Sequence, residues 1–341
     1  MVTKIAADSN DVASRRMIHR GCSIARWVRA LIGGLLLMPL MELPVASVSA
    51  GAAEYDRPAP DRQQSRSVVI AKHGMVATSH PLAAQAGLDM LKAGGTAADA
   101  AIAANAMLGV VEPMSCGIGG DLFVIYWEAK TQKLYGLNAS GRSPFQLHRK
   151  IFTDQGLTQI PDVGPLSWSV PGCVDGWEEL REKFGVKSLA ENLAPAIDAA
   201  ENGFPVSEII GLGWKASAKS LARWPDSARV YLPNGRPPEI GEITKLPELA
   251  ATYRLLAEQG QDAFYRGAIA KEIVRFSGAN GGYFSLPDFA EHRSDWIEPV
   301  STNYRGYDVW ELPPNGQGIA ALQMLNVLEG YDLKSLGPKH P

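Results

Sequence analysis

The spacing of apolar positions changes several times along the chain, and each change marks an element. In "HPLAAQAGLDMLKAGG", Leu82, Ala86 and Met90 recur at helical spacing with Leu91 alongside, after Pro81 and before Gly94-Gly95. Proline in a first turn and glycine past a last turn are helix start and stop signals. "TAADAAIAANAMLGVV" restarts helix at once, with Thr96 and Asp99 spaced as a capping box. Its many alanines permit close approach, so the pattern predicts a buried helix pair. From Leu122 to Trp127 every position is apolar, which predicts a strand covered on both faces. "EAKTQ" reads as a turn and "KLYGLN" as the returning strand. Helical spacing returns over residues 174–184, 189–201, 246–258 and 262–275. "YRGYDVWEL", 304–312, predicts a further strand, "PPNGQG" breaks it, and "IAALQMLNVLEG" predicts a helix ending at Gly330. Helices and strands alternate in blocks without an internal repeat, which points to a layered α/β or α+β protein.

The first fifty residues follow another pattern. Arg15, Arg16, His19, Arg20, Arg26 and Arg29 precede the uncharged run "ALIGGLLLMPLM", 30–41, and then "ASVSA". That is the plan of a secretory signal, residues 1–50, cleaved after Ala50. The run is short for a spanning helix and Pro39 interrupts it, so no stable membrane anchor is expected. Residues 51–67 are polar and proline-containing and read as a flexible leader, with ordered structure expected from about Val68. The expected location is therefore outside the cytoplasm, periplasmic or secreted.

Composition narrows the function. The 341 residues are 46% hydrophobic and 20% charged, with 33 basic and 36 acidic side chains and a net charge of −3. No basic field favours nucleic acid. Cys22 leaves with the signal; Cys116 and Cys173 remain, either to pair in an oxidising compartment or to stay as two buried thiols. No Cys/His cluster suggests a metal, and "GIGGD" fails the dinucleotide pattern because Leu122 stands at the third glycine position. No cofactor is expected.

Several side chains are candidates for chemistry. Ser115-Cys116 sits in a glycine-dense turn with no histidine nearby in sequence. Asp121 and Asp175 flank glycine turns and read as caps. Arg142, in "NASGRSP", follows a predicted strand, where a guanidinium could clamp a carboxylate through paired hydrogen bonds or simply face solvent. Thr78-Ser79-His80 places a hydroxyl two residues from an imidazole. Pro81 ends any strand there, and a threonine nucleophile ordinarily needs its own freed α-amino group as base, so Thr78 is disfavoured.

Taken together, "GMVATSHPLAAQAGLDMLKAGGTAADAAIAANAMLGVVEP", "GIGGDLFVIY", "SVPGCVDGW", "ENGFPVS", "DAFYRGAIAKEIV", "GGYFSLPDFAEH" and "YRGYDVWELPPNGQGIAALQMLN" resemble the gamma-glutamyltransferases. The likeness runs from about Val68 to Leu333. It implies an Ntn-hydrolase fold, a four-layer αββα sandwich made from a precursor that cuts itself into large and small subunits. It implies a new amino-terminal threonine on the small subunit that attacks a γ-glutamyl amide such as glutathione. Residues 68–341 resemble only the large-subunit part, so the nucleophile is expected beyond Pro341, the partner is the small subunit of the same precursor, and the sandwich is incomplete and the fragment inactive alone. The family's carboxylate-binding arginine lies in an R-E-x-x-P setting. Here Pro144 matches its proline, Ser140 occupies the arginine's slot, and Arg142 lies two positions nearer the proline. "SGRSP" and "PPNGQG" resemble the acylase branch, so an amide or cephalosporin acylase is an alternative expectation. A truncated, non-catalytic product is a third, marked by a stop codon directly after Pro341.

Overall fold

Pro81 begins the first helix, α1 (Pro81–Lys92), where its missing N–H costs nothing. The computed structural model describes residues 69–336; the expected signal (1–50), its Cys22, the leader (51–67) and positions 337–341 lie outside them. His80 caps α1: its Nδ1 accepts the Leu82 N–H at 3.2 Å. Gly94, at φ 85°, turns the chain after Lys92. Helix α2 (Ala97–Val111) follows, closed by the expected Thr96–Asp99 capping box. All but three of its 15 residues are buried, as a helix apolar on every side should be. A Cβ at Gly87 would stand 2.9 Å from the Ala100 carbonyl, so glycine sets how closely α1 meets α2.

Asp99 does more than cap. Its carboxylate accepts the Thr96 N–H at 2.8 Å and the Val186 and Lys187 N–H groups at 3.1 Å each. Burial works to raise its pKa, but these donors outweigh it and hold the carboxyl below its ordinary value.

The strands β1 (Leu122–Glu128) and β2 (Lys133–Ala139) form an antiparallel hairpin, with Leu122 opposite Ala139 and Glu128 opposite Lys133. The apolar run of β1 is not covered on both faces, contrary to its sequence pattern. Leu122, Val124 and Tyr126 pack on the core, while Phe123, Ile125 and Trp127 are 43%, 41% and 44% exposed. After a short helix, α3 (Arg149–Asp154), helix α4 (Cys173–Phe184) lies on the covered face of the sheet. Gly176 makes this possible: a Cβ there would stand 2.6 Å from the Ala139 Cβ. Helix α5 (Leu189–Asn202) has its own capping box, Ser188–Glu191, and leads into the two-residue strand β3 (Phe204–Pro205).

Helices α6 (Glu208–Leu221) and α7 (Pro225–Tyr231) meet through Trp214, whose Nε1 donates to the Tyr231 carbonyl at 2.7 Å. Strand β4 (Ile243–Thr244) pairs with β3, and α8 (Pro247–Gln259) packs on α5. Tyr253 of α8 is fully buried and donates to the Ala106 carbonyl at 3.1 Å, joining α8 to α2. The helix expected over 262–275 is two: α9 (Asp262–Tyr265) and α10 (Ala268–Ala279). Gly267 separates them with φ −99° and ψ −146°, and a Cβ there would lie 2.8 Å from the Ala263 carbonyl.

Helix α11 (Leu286–Ala290) precedes β5 (Asp295–Ile297), which joins the sheet beside β2 in the order β1-β2-β5. The strand expected over 304–312 is β7 (Tyr307–Glu311), and it pairs with a strand the sequence pattern did not predict, β6 (Val300–Tyr304). Arg305 and Gly306, at φ 54° and 87°, form the tight turn between them, the geometry that matches strand twist in two-residue hairpins. Helix α12 (Gly318–Glu329) lies against this hairpin with Leu322 buried, and α13 (Leu333–Leu336) follows. No disulfide joins Cys116 and Cys173; both are free thiols, and Cys173 is buried with its Sγ 3.6 Å from Asn105 Oδ1. No helix among the described residues is long and apolar enough to cross a membrane.

Candidate functional site

One end of the sheet gathers Asp121, Arg142 and Asp175 from among the polar side chains that the sequence singled out. β1 starts there, β2 ends there, and β5 starts there with Asp295 opposite Asn138. The glycine turn before β1 folds against the start of α4, where the Gly172 and Cys173 N–H groups both donate to the Gly120 carbonyl at 3.0 Å. The fit leaves no room for side chains. A Cβ at Gly172 would stand 2.1 Å from the Ala139 carbonyl, and one at Gly141 would stand 1.6 Å from that of Val170. Gly172 of "PGC" and Gly141 of "SGR" are therefore close-approach glycines. The close approach expected of "GIGGD" is not found there: a Cβ at Gly117 or Gly119 would meet nothing within 4 Å, and one at Gly120 only the Gly117 carbonyl at 3.6 Å.

Arg142 leaves this end three residues past β2. Its loop is held from several sides. The Gly141 N–H donates to Asp121 Oδ1 at 2.8 Å, and the Val170 N–H donates to the Arg142 carbonyl at 3.0 Å. The Phe145 N–H donates to the buried Asp288 at 2.6 Å. Asn315, from "PPNGQG", accepts from Asn138 Nδ2 and donates to Ser140 Oγ, each at 2.8 Å. Ser140, in the slot where the resemblance places an arginine, thus clips this loop to the segment after β7. The Arg142 guanidinium stands free of these anchors and pairs with Asp295, Nη2 to Oδ2 at 3.2 Å, with 58% and 53% of the two side chains exposed. Arg142, Phe145, Val170, Arg266, His292 and Arg293 are among the walls of a cleft of about 400 Å3 beside it.

A buried network supports that wall. Asp175, in the first turn of α4, accepts from both the N–H and the hydroxyl of Ser294 at 2.6 Å. Its own N–H donates to the Tyr265 hydroxyl at 3.0 Å, which donates to the Pro171 carbonyl at 2.8 Å. His292 stacks on Tyr265 with ring centroids 5.2 Å apart, and its Nε2 lies 4.0 Å from Asp175. Burial pushes the His292 pKa down, Asp175 opposes that, and Arg142 adds to it, so the ring is held toward its neutral form. Asp175 is thus a cross-link to the approach of strand β5 rather than the helix cap expected, and Asp121 ties two loops.

The remaining candidates stand elsewhere. Thr78 Oγ1 donates to the His80 carbonyl at 2.8 Å and accepts the His80 N–H at 3.2 Å, a local turn. The imidazole caps α1 instead of facing the hydroxyl, and burial lowers its pKa while Glu112 opposes. Cys116 is half-buried; burial first, and then Glu112, raise its thiol pKa, the opposite of an activated thiolate. Among the described residues, no three His, Cys, Asp or Glu side chains converge as a metal site. Sequence reasoning passed over Asp295, His292 and Asn315. The signal for them lay in their neighbours, "GGYFSLPDFAEH" and "PPNGQG", which carried the resemblance without assigning these side chains any role.

Comparison with known proteins follows the same outline. The Gamma-glutamyltranspeptidase family model matches residues 83–341. The glutathione hydrolase-like YwrD proenzyme of Bacillus subtilis is 41% identical over 269 residues, 79% of this chain and 51% of that protein. Among solved structures, the cephalosporin acylase of Bacillus halodurans aligns at 44% identity and TM-score 0.75, covering 82% of this chain and 53% of that one. The gamma-glutamyltranspeptidase of Helicobacter pylori aligns at 30% identity and TM-score 0.75, covering 80% and 79%. The chain spans about half the length of the curated relatives it matches. Its mixed α/β architecture is that of the Ntn-hydrolases.

Proposed function

The chain belongs to the gamma-glutamyltranspeptidase family, and from that membership we propose that it forms the large-subunit part of an exported enzyme that hydrolyses or transfers γ-glutamyl groups. The observation that carries the reading is Arg142. Its guanidinium projects from a loop anchored at both ends, beside a cleft, with most of its donors unspent. That is the placement a clamp for the α-carboxylate of a γ-glutamyl group requires. In this reading the nucleophile is a freed amino-terminal threonine from downstream of Pro341, as the family resemblance implies, while the Thr78 hydroxyl is engaged in its own turn. A small subunit from the same precursor is the partner. Phe123, Ile125 and Trp127 support this, since together they present an uncovered apolar row on β1. Residues 1–50 direct export and are removed, which amino-terminal sequencing of the mature protein tests: a start well before Gly51 overturns it.

The test of activity is expression with the downstream coding sequence, followed by assay of a γ-glutamyl anilide. Turnover is expected after self-cleavage, with a raised KM in Arg142→Ala. Proven self-cleavage without turnover overturns the reading. A second reading, an acylase acting on another amide-linked acyl group, is favoured by the 44% identity to the cephalosporin acylase structure. Under it, Arg142→Ala leaves the preferred substrate largely unaffected.

A further inference from the structure

We propose that the exposed face of α6 seats a second copy of this chain, packed antiparallel about a two-fold axis beside Leu212. The proposal is independent of which acyl group the enzyme takes. At about 100° per residue, α6 divides into two faces. Ile210, Gly211 and Trp214 are buried, and Trp214 ties the inner face to α7 through the Tyr231 carbonyl. Ile209, Leu212 and Ala216 recur on the opposite face at the spacing of a helix-packing stripe, and all three are exposed. Ile209 and Leu212 leave 51% and 49% of their surface open. Ile240 widens the stripe. A Cβ at Gly211 would stand 2.9 Å from its Cγ1, so Ile240 lies against the helix while 56% exposed. Scattered apolar side chains on a surface are ordinary, but aliphatic side chains grouped on one helix face mark an interface.

The charges beside the stripe say what fits it. Glu208 stands at its start, and Lys215 and Lys219 stand towards its end, all on the side that Ile240 flanks. The three are exposed, and none has an ion-pair partner among the described residues. This polarity suits the helix dipole, and it is also self-complementary. Turned about a two-fold axis beside Leu212, the face offers its basic end to its own acidic end. At about 1.5 Å of rise per residue, Glu208 lies about 6 Å to one side of Leu212 and Lys215 about 4.5 Å to the other. In the antiparallel pair, each Glu208 therefore stands beside Lys215 of the second copy. Leu212 meets its own counterpart on the axis, and Ile209 meets Ala216, which is small enough for close approach. The symmetry makes every one of these contacts twice. A parallel pair would instead set Glu208 against Glu208 and lysine against lysine, and like charges repel.

The test uses the complete protein, expressed with its downstream coding sequence, and reads mass by sedimentation equilibrium across a dilution series. Wild type is expected at twice the mass of one unit. Leu212→Glu sets two carboxylates against each other on the axis. It should raise the dimer dissociation constant by about a hundredfold or more, while self-cleavage stays at the wild-type level. Glu208→Lys and Lys215→Glu should each weaken the dimer, and the two substitutions combined should restore it, which a merely structural role for either side chain would not produce. A wild type that stays at one unit at every concentration overturns the proposal, and so does a dimer unmoved by Leu212→Glu. Failed self-cleavage in a folded Leu212→Glu protein also overturns it, because the downstream half of the protein then occupies this face. If Leu212→Glu does not fold, the charge series decides: no recovery in the combined variant sinks the proposal.

Discussion

The Gly141 N–H donates to Asp121 Oδ1 at 2.8 Å, joining the glycine turn before β1 to the loop that carries Arg142. The bond bridges 20 positions of sequence and, with the Ser140–Asn315 bond, tethers the amino-terminal side of Arg142. Asp121→Ala should free that loop without unfolding the protein. We expect a KM increase of about two- to tenfold for a γ-glutamyl anilide, the equivalent of one ordinary hydrogen bond, with kcat little changed. An unaltered KM would show that the other anchors suffice.

Asp99 is the site of greatest expected damage to stability. Asp99→Ala strands the N–H groups of Thr96, Val186 and Lys187, and should cost about 3 kcal/mol in denaturant unfolding. The pH dependence has a definite sign. The folded pKa lies below the unfolded one, so through the carboxyl's titration range the folded state binds fewer protons than the unfolded state. The stabilisation is complete above the unfolded carboxyl pKa, about 4, and is lost as pH falls through the lower folded value. Unfolding curves of wild type and Asp99→Asn should therefore converge on acidification below about pH 4. A constant gap down that range would sink the assignment.

Thr78 separates the turn reading from the nucleophile reading. Thr78→Ala removes the bond to the His80 carbonyl and should lower stability by about 0.5–1.5 kcal/mol. The kcat of the self-processed enzyme should be unchanged. Total loss of turnover in a folded Thr78→Ala protein would restore Thr78 as the nucleophile.

The uncovered face of β1 tests the partner. Ile125→Glu places a charge among Phe123 and Trp127, at a position already 41% exposed. In the 341-residue chain it should shift stability by less than about 0.5 kcal/mol. In the complete precursor it should block assembly or self-cleavage, read on a gel. Normal processing in Ile125→Glu would place the partner on another surface.

Much of the architecture was legible locally. The Pro81 start, the Thr96–Asp99 box and the stop at Gly94-Gly95 are decided by neighbouring backbone groups, and α1 and α2 stand where those signals put them. The β1–β2 hairpin was equally clear. Where the reading went astray, the deciding feature was a short-range exception inside a sound pattern. Arg305-Gly306 turns the chain where the strand was expected to begin, and Gly267 breaks what read as one helix. The thiol state of Cys116 and Cys173, left open by spacing, needed their positions in space.

The sequence by itself determined the helix pair, the hairpin, the family resemblance and the candidacy of Arg142, since each rests on residues adjacent in the chain or on motifs read in order. Only the tertiary structure decided what Arg142 faces. Asp295 lies 153 positions away and arrives because β5 pairs with β2 in one register, Asn138 opposite Asp295. It likewise decided that β1 is covered on one side, through α4 closing over Leu122 at Gly176. Register and packing are collective outcomes of burying apolar surface, and no local spacing encodes which distant charge they will bring to a given guanidinium.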